Sequence, residues 1–281
     1  FSLDLEAEKL RASLDAQTHS IMDLSTGGDL TALRRYFLDH STVMVGAVPI
    51  YGLATEMVLR DEPLESMDGE KLLRSIERQC EEGLDYITVH CGVTLASVKK
   101  LDAYERLMPC VSRGGSIHMY WMRKNGKENP LFEYYDDLLT IAHKFDVTLS
   151  LGDGFRPGTV VDATDGAQLE ELLILGELAK RARSKGVQVM IEGPGHVPLP
   201  QIQPNILMQK RLCDDRFTRN KEAIAQNDTA IANLTQLVTE MAIMQKQSMA
   251  QTADQETRIR ALENKGGIWL DRIISLALGA L

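Results

Sequence analysis

Val147-Thr-Leu-Ser-Leu151 runs straight into Gly152-Asp-Gly-Phe-Arg-Pro-Gly158, and the reading of that junction decides the fold. A short, largely apolar run is the mark of a strand buried on both faces, and the Gly- and Pro-bearing tract behind it is a loop. The same order recurs along the chain. Ile21–Leu24, Thr42–Ile50, Tyr86–Val89 and Val187–Ile191 are apolar stretches. They lead into Asp23-Leu-Ser-Thr-Gly-Gly28, Pro49-Ile-Tyr51, His90-Cys-Gly92 and Glu192-Gly-Pro-Gly-His196. A weaker run at Cys110-Val111 leads into Ser112-Arg-Gly-Gly115, and helical patterns such as Gly69–Glu82 and Ala167–Lys185 lie between. Strands alternating with helices make parallel βαβ units. A doubly wound sheet gathers one or two ligand loops at its switch point, whereas six loops after six strands fit a barrel mouth. The spacing therefore predicts an α/β fold, a partial (β/α)8 TIM-type barrel with about six of eight units.

The composition changes near residue 215. Every proline precedes that point, and beyond it no glycine occurs before Gly266. Ile224, Ile231, Val238 and Ile259 fall on one heptad position, and Leu234, Met241 and Leu262 on another, with Asn227, Gln245 and Thr252 in the same seam. Two domains are expected, a barrel-like part over 1–214 and a helical, coiled-coil-like tail over 215–281 that oligomerises or lies on a membrane surface.

A net charge of -9, from 31 Lys and Arg against 40 Asp and Glu, argues against a surface that neutralises nucleic-acid phosphates. With 44% hydrophobic and 25% charged residues the chain is neither disordered nor collagen-like. Its four cysteines form no CxxC pair, which fits a reducing compartment. No run reaches the roughly 20 apolar residues of a membrane span, and the expected location is the cytoplasm.

The predicted loops carry ligand chemistry. Ser112-Arg113-Gly114-Gly115 offers a guanidinium fork, a hydroxyl and glycine amides, the makings of an anion cradle. Arg156 adds a second cation beside Asp153. Glu192 and His196 end the last strand, and His196 reads as a metal ligand, a general base or a hydrogen-bonded loop histidine. No HxH or HxxxH spacing occurs among the six histidines, so the residues alone define no metal set. His90 follows a buried-type strand, Tyr51 is expected at the mouth, and Met22 reads equally as core or mouth.

Seven motifs in order carry a resemblance: Met22-Asp-Leu-Ser-Thr-Gly-Gly28, Gly46-Ala-Val-Pro-Ile-Tyr51, Thr88-Val-His-Cys-Gly92, Ser112-Arg-Gly-Gly-Ser-Ile117, Glu128-Asn-Pro-Leu131, Leu149 to Gly158 and Gln188 to Pro198. Over about residues 1–213 the chain resembles the phosphomethylpyrimidine synthase (ThiC) family. The resemblance implies conversion of 5-aminoimidazole ribotide to hydroxymethylpyrimidine phosphate by a radical rearrangement with S-adenosylmethionine, an iron–sulfur cluster and zinc; separately, a homo-oligomer is expected. Met22, Tyr51, His90, Ser112, Arg113, Gly114, Asp153, Gly154, Arg156 and Glu192 match the family's substrate-binding positions, with Phe155 where the family usually has Leu, and His196 matches a zinc ligand. His118-Met119-Tyr120 also departs from the family pattern. No cysteine follows Cys213, so the family's three-cysteine cluster motif and its second zinc histidine have no counterpart here. Two other readings stand beside this one: a 5-hydroxybenzimidazole synthase paralogue with the same substrate, and a catalytically silent partial barrel that acts through its tail.

Overall fold

The computed structural model describes residues 2–213. The expected tail over 215–281 lies outside the described residues. In chain order the elements are α1 (Leu3–Asp15), β1 (Ser20–Asp23), α2 (Leu30–His40), β2 (Met44–Ala47), α3 (Pro49–Leu59), α4 (Gly69–Glu81), β3 (Tyr86–Val89), α5 (Leu95–Ala103), α6 (Arg113–Asn125), α7 (Pro130–Glu133), α8 (Tyr135–Lys144), β4 (Thr148–Leu151), α9 (Gly166–Ser184), β5 (Val189–Ile191) and α10 (Leu199–Cys213). Two single 3-10 turns, Leu64–Ser66 and Val160–Asp162, interrupt the loops.

The strands form one parallel sheet in the order β1-β2-β3-β4-β5. Neighbours in space are neighbours in sequence, with no reversal of direction, so among the described residues there is no doubly wound switch point. The register runs Ser20 opposite Met44, Gly46 opposite Tyr86, Tyr86 opposite Thr148 and Leu149 opposite Val189.

Burial explains why the strands read as apolar runs. All four residues of β3 are buried, as are Leu149, Ser150 and Leu151 of β4, so side chains pointing to both faces of the sheet are out of solvent there. Leu72 and Ile76 of α4 and Leu138 and Leu139 of α8 are buried in the same core. Burying each such side chain favours folding by about 1.5–3 kcal/mol, so the centre of the sheet is its most firmly held part. The flanks are looser: Met44 and Met190 are exposed.

The sixth expected strand is absent. Cys110 and Val111 are irregular, and β3 pairs directly with β4, which leaves no place between them for a strand. The Ser112 tract therefore opens a helix rather than ending a strand. The expected strand over Thr42–Ile50 is also shorter than its apolar run. Proline in the first turn starts α3 at residue 49, where its missing N–H costs nothing.

Helix starts are fixed locally. Asp29, Asp68, Thr94, Ser112 and Asp165 each accept a backbone N–H at the N-terminus of α2, α4, α5, α6 and α9. Among the described residues no helix is long and apolar enough to cross a membrane.

Candidate functional site

A cavity of about 590 Å³ opens at the C-terminal ends of the strands. Met22, Tyr51, His90, Arg113, Asp153, Arg156, Glu192 and His196 all line it, so eight of the positions singled out in the sequence converge on one space. They arrive from the ends of β1, β3, β4 and β5 and from the first turns of α3 and α6.

The two guanidiniums differ in how they are committed. Arg156 donates from Nη1 to the Asp153 carboxylate at 2.9 Å and to the Asp153 carbonyl at 3.2 Å. Arg113 makes no ion pair among the described residues. It donates to the Leu24 carbonyl at 3.1 Å and lies 5.1 Å over the Tyr51 ring, which orients it while its remaining N–H groups stay available. An anion entering this cavity meets Arg113 first.

The carboxylates sit deeper. Burial raises the Glu192 carboxyl above its ordinary range and the negative charge of Asp153 adds to the shift, against Arg156. Thr88 and Ser150 each place a hydroxyl 3.4 Å from Glu192 Oε1. Burial likewise raises Asp153, with Arg156 opposing. A cavity with a free guanidinium at its mouth and two shifted carboxyls inside suits a ligand bearing an anion at one end and polar N–H or O–H groups at the other.

His90 is held by its surroundings rather than by a loop's freedom. The Asn129 side-chain amide donates to the His90 and Val93 carbonyls at 2.9 and 2.8 Å and fixes the turn behind it. The ring itself lies between Gly114 and Gly152: a side chain at Gly114 would collide with its Cε1–Nδ1 edge, and one at Gly152 would come within 2.9 Å of Cδ2. The two glycines thus leave room for an imidazole, and Gly114 serves the site without lining the cavity.

Three other predicted positions also lie behind the cavity wall. The Ser112 hydroxyl accepts the Gly115 N–H at 3.1 Å and caps α6. Gly154 and Phe155 present their backbone N–H groups to Glu171, and the Phe155 side chain is fully buried in the core. Of the anion cradle read into Ser112-Arg-Gly-Gly115, the Ser112 hydroxyl and the Gly115 N–H are paired with each other, and Arg113 lines the cavity.

Two groups that shape the site were missed in the sequence. Glu171 of α9 is buried and accepts from Gly154 and Phe155 at 2.8 and 2.7 Å. Arg106 pairs with Asp165 and donates to the Phe155 carbonyl at 2.9 Å, so the same loop is tied from both sides. Burial pushes the Glu171 carboxyl from its ordinary 4.5 up to about 8, against its two N–H bonds. A carboxyl raised in this way favours folding in its protonated form. Its contribution is complete below 4.5 and is lost as pH rises through about 8. Urea unfolding at pH 5 and pH 8.5 should therefore show wild type losing at least about 1.4 kcal/mol more than Glu171→Gln over that interval. Equal losses would show that the two N–H bonds keep the carboxylate ionised throughout.

The donors present do not make a metal centre. His196, in a left-handed backbone conformation with φ of 58°, is exposed and bonds through Nδ1 to the Pro157 carbonyl at 2.9 Å, which leaves Nε2 as a lone-pair donor. It is a single ligand: among the described residues no three His, Cys, Asp or Glu side chains gather in metal-binding geometry. Cys80 and Cys91 are buried, and burial raises both thiols, Cys80 to about 12, so neither offers a ready thiolate. A zinc ion or an iron–sulfur cluster does not fit these residues on their own.

Comparison with known proteins shows the family. The model of the Radical SAM ThiC family matches residues 1–217. Phosphomethylpyrimidine synthase of Caldanaerobacter subterraneus subsp. tengcongensis is 54% identical over 208 residues, 74% of this chain and 48% of that protein. The Moorella thermoacetica protein of the same name is 55% identical over 210 residues, 75% of this chain and 49% of its own. A third, from Syntrophus aciditrophicus, is 52% identical over 212 residues, again 75% of this chain and 50% of its own. The chain spans about half the length of the curated relatives it matches. The matched range spans all five strands and the cavity residues described above, and the chain belongs to the radical SAM ThiC family.

Proposed function

We propose that this chain is the ribotide-binding part of a phosphomethylpyrimidine synthase, and that its sheet is the first five strands of a (β/α)8 barrel. The barrel reading rests on the strictly sequential strand order, and the ligand reading on the convergence of Arg113, Arg156, Asp153, Glu192 and His90 on one cavity. The ligand is 5-aminoimidazole ribotide. Its phosphate lies at the mouth against Arg113. Its ring and amine lie inward, where Asp153 and Glu192 accept hydrogen bonds and His90 and Tyr51 fix the orientation. Radical initiation by S-adenosylmethionine and an iron–sulfur cluster belongs to the whole enzyme, as does zinc at His196. The described residues bind and orient the ribotide, and no radical step is assigned to them.

The test is a thermal melt of the full chain with and without the ribotide. A ligand that binds only the native state, present at a hundredfold its dissociation constant, stabilises by about 2.7 kcal/mol. For a domain of this size that raises Tm by about 5–10 °C. A transition indifferent to ribotide at millimolar concentration would overturn the proposal.

A further inference from the structure

α6 carries a second imidazole that the ligand reading leaves unused. His118 is fully buried one helical turn beyond Gly114, and neither of its ring nitrogens has a hydrogen-bond partner in the protein. Its ring centroid lies 6.4 Å from that of His90, whose Nδ1 is also buried and unpartnered. The orientation of His90 is set by its two glycine neighbours. Its Cε1–Nδ1 edge faces Gly114, and so faces the helix that bears His118, while Cδ2 and Nε2 face Gly152. Three unpaired imidazole nitrogens thus belong to two neighbouring rings, His90 in the cavity wall and His118 behind it.

That arrangement is costly unless the nitrogens are joined. A buried polar atom left without a partner is destabilising, and native proteins pair such atoms with protein groups or with ordered water. Leucine or methionine would fill the position of His118 without that cost. We propose that His118 is a positioning residue for His90, joined to His90 Nδ1 by one buried hydrogen-bonded bridge, so that Nδ1 holds the proton and Nε2 faces the ligand as an acceptor.

Two further observations set the direction of the bridge. Burial disfavours the charged form of both rings, holding His90 near 3 and His118 near 4, so each has one donor and one acceptor nitrogen at neutral pH. The Arg156 guanidinium is close enough to act on His90 electrostatically, and a lone pair on the cavity side is favoured over an N–H beside that cation.

Long-range proton–nitrogen spectra of the full chain carrying 15N-histidine, at pH 7, test this directly. His90 is identified by its loss in His90→Gln. The expected wild-type signature is a single His90 tautomer with Nδ1 protonated. In His118→Leu both His90 nitrogens should move toward the averaged values of a tautomer mixture, while His118→Gln, which keeps a donor and an acceptor, restores most of the wild-type pattern. A side chain that only fills space would leave the His90 nitrogens unmoved in both variants, and that result overturns the proposal. A wild-type ring protonated at Nε2, or already a mixture, overturns it as well. Should His118→Leu fail to fold, His118→Met, which also removes both ring nitrogens, takes its place with the same expected shift and the same overturning result.

A second arm rests on the ribotide reading. His118→Leu should weaken ribotide binding about three- to tenfold, the range of one net hydrogen bond. A wild-type protein that binds no ribotide would sink the ligand assignment, and the tautomer measurement, which needs no ligand, would still decide the role of His118.

Discussion

Arg106→Met is expected to cost about 3–5 kcal/mol of folding stability, the usual loss when one partner of a buried ion pair is removed. The guanidinium is 1% exposed and binds both Asp165 oxygens at 2.6 Å, from Nε and Nη2. It also donates to the Phe155 and Pro109 carbonyls at 2.9 and 3.2 Å. Methionine fills much of the volume and supplies none of these donors. Asp165 would retain only its cap bond from Gln168, in a site where its side chain is 11% exposed. A Tm lowered by about 6–20 °C follows for a domain of this size. Adding Asp165→Asn to Arg106→Met should recover at least about 1 kcal/mol, because asparagine keeps the helix cap while removing the stranded charge. Exposed pairs give the contrast: Arg74–Glu70, with side chains 65% and 82% exposed, should contribute under about 1 kcal/mol, and Arg74→Ala is the control. A loss below about 1 kcal/mol for Arg106→Met would show that solvent reaches the pair.

Arg113→Ala should carry the largest effect on binding, about 1.5–3 kcal/mol, or roughly a tenfold to 150-fold weaker ribotide complex. Its guanidinium is the one at the mouth that no carboxylate claims, whereas Arg156 is already bonded to Asp153. The informative comparison is with the dephosphorylated aminoimidazole riboside. Wild type should prefer the ribotide, and Arg113→Ala should bind the two alike, since the lost interaction is with the phosphate alone. Arg113→Lys should recover part of the preference, because an ammonium supplies charge without the planar fork. Calorimetric titration of both ligands against the three proteins settles the point. An Arg113→Ala protein that keeps its phosphate preference would move the anion site elsewhere in the cavity.

Much of this architecture is legible in the sequence, because burial on both faces leaves a plain trace. Tyr86–Val89 and Val147–Leu151 were bounded to within a residue of β3 and β4. The apolar run over Thr42–Ile50 misleads for the same reason: strand and helix start are both buried there, and only Pro49 marks the boundary between them. Cys110-Val111 misleads because a short apolar pair carries no record of whether a neighbouring strand has room for it. Most residues that line the cavity are legible because they follow a strand or open a helix at the strands' C-terminal side, whereas Met22 lies within β1 and reads equally as core. Arg106 and Glu171 are not legible in this way, because their partners lie 59 and 17 residues away. One sign of Glu171 was present: it shares a helical stripe with Ala167, Leu175 and Leu178, and a carboxylate on such a stripe needs a buried partner.

The sequential strand order also bears on how the polypeptide reaches this state. Each pairing joins a strand to the one made just before it, so the sheet can grow in the direction of synthesis without waiting for any later segment. The shorter closure, Ser20 to Met44, and the longer, Tyr86 to Thr148, differ by only about 0.8 kcal/mol in chain entropy. No single step stands out as the slow one on that ground. The cavity matures last, when the turn after β5 brings Glu192 and His196 beside an Arg156–Asp153 pair that is complete without them. A nascent chain would therefore hold a folded but ligand-blind sheet until residues 192–196 arrive.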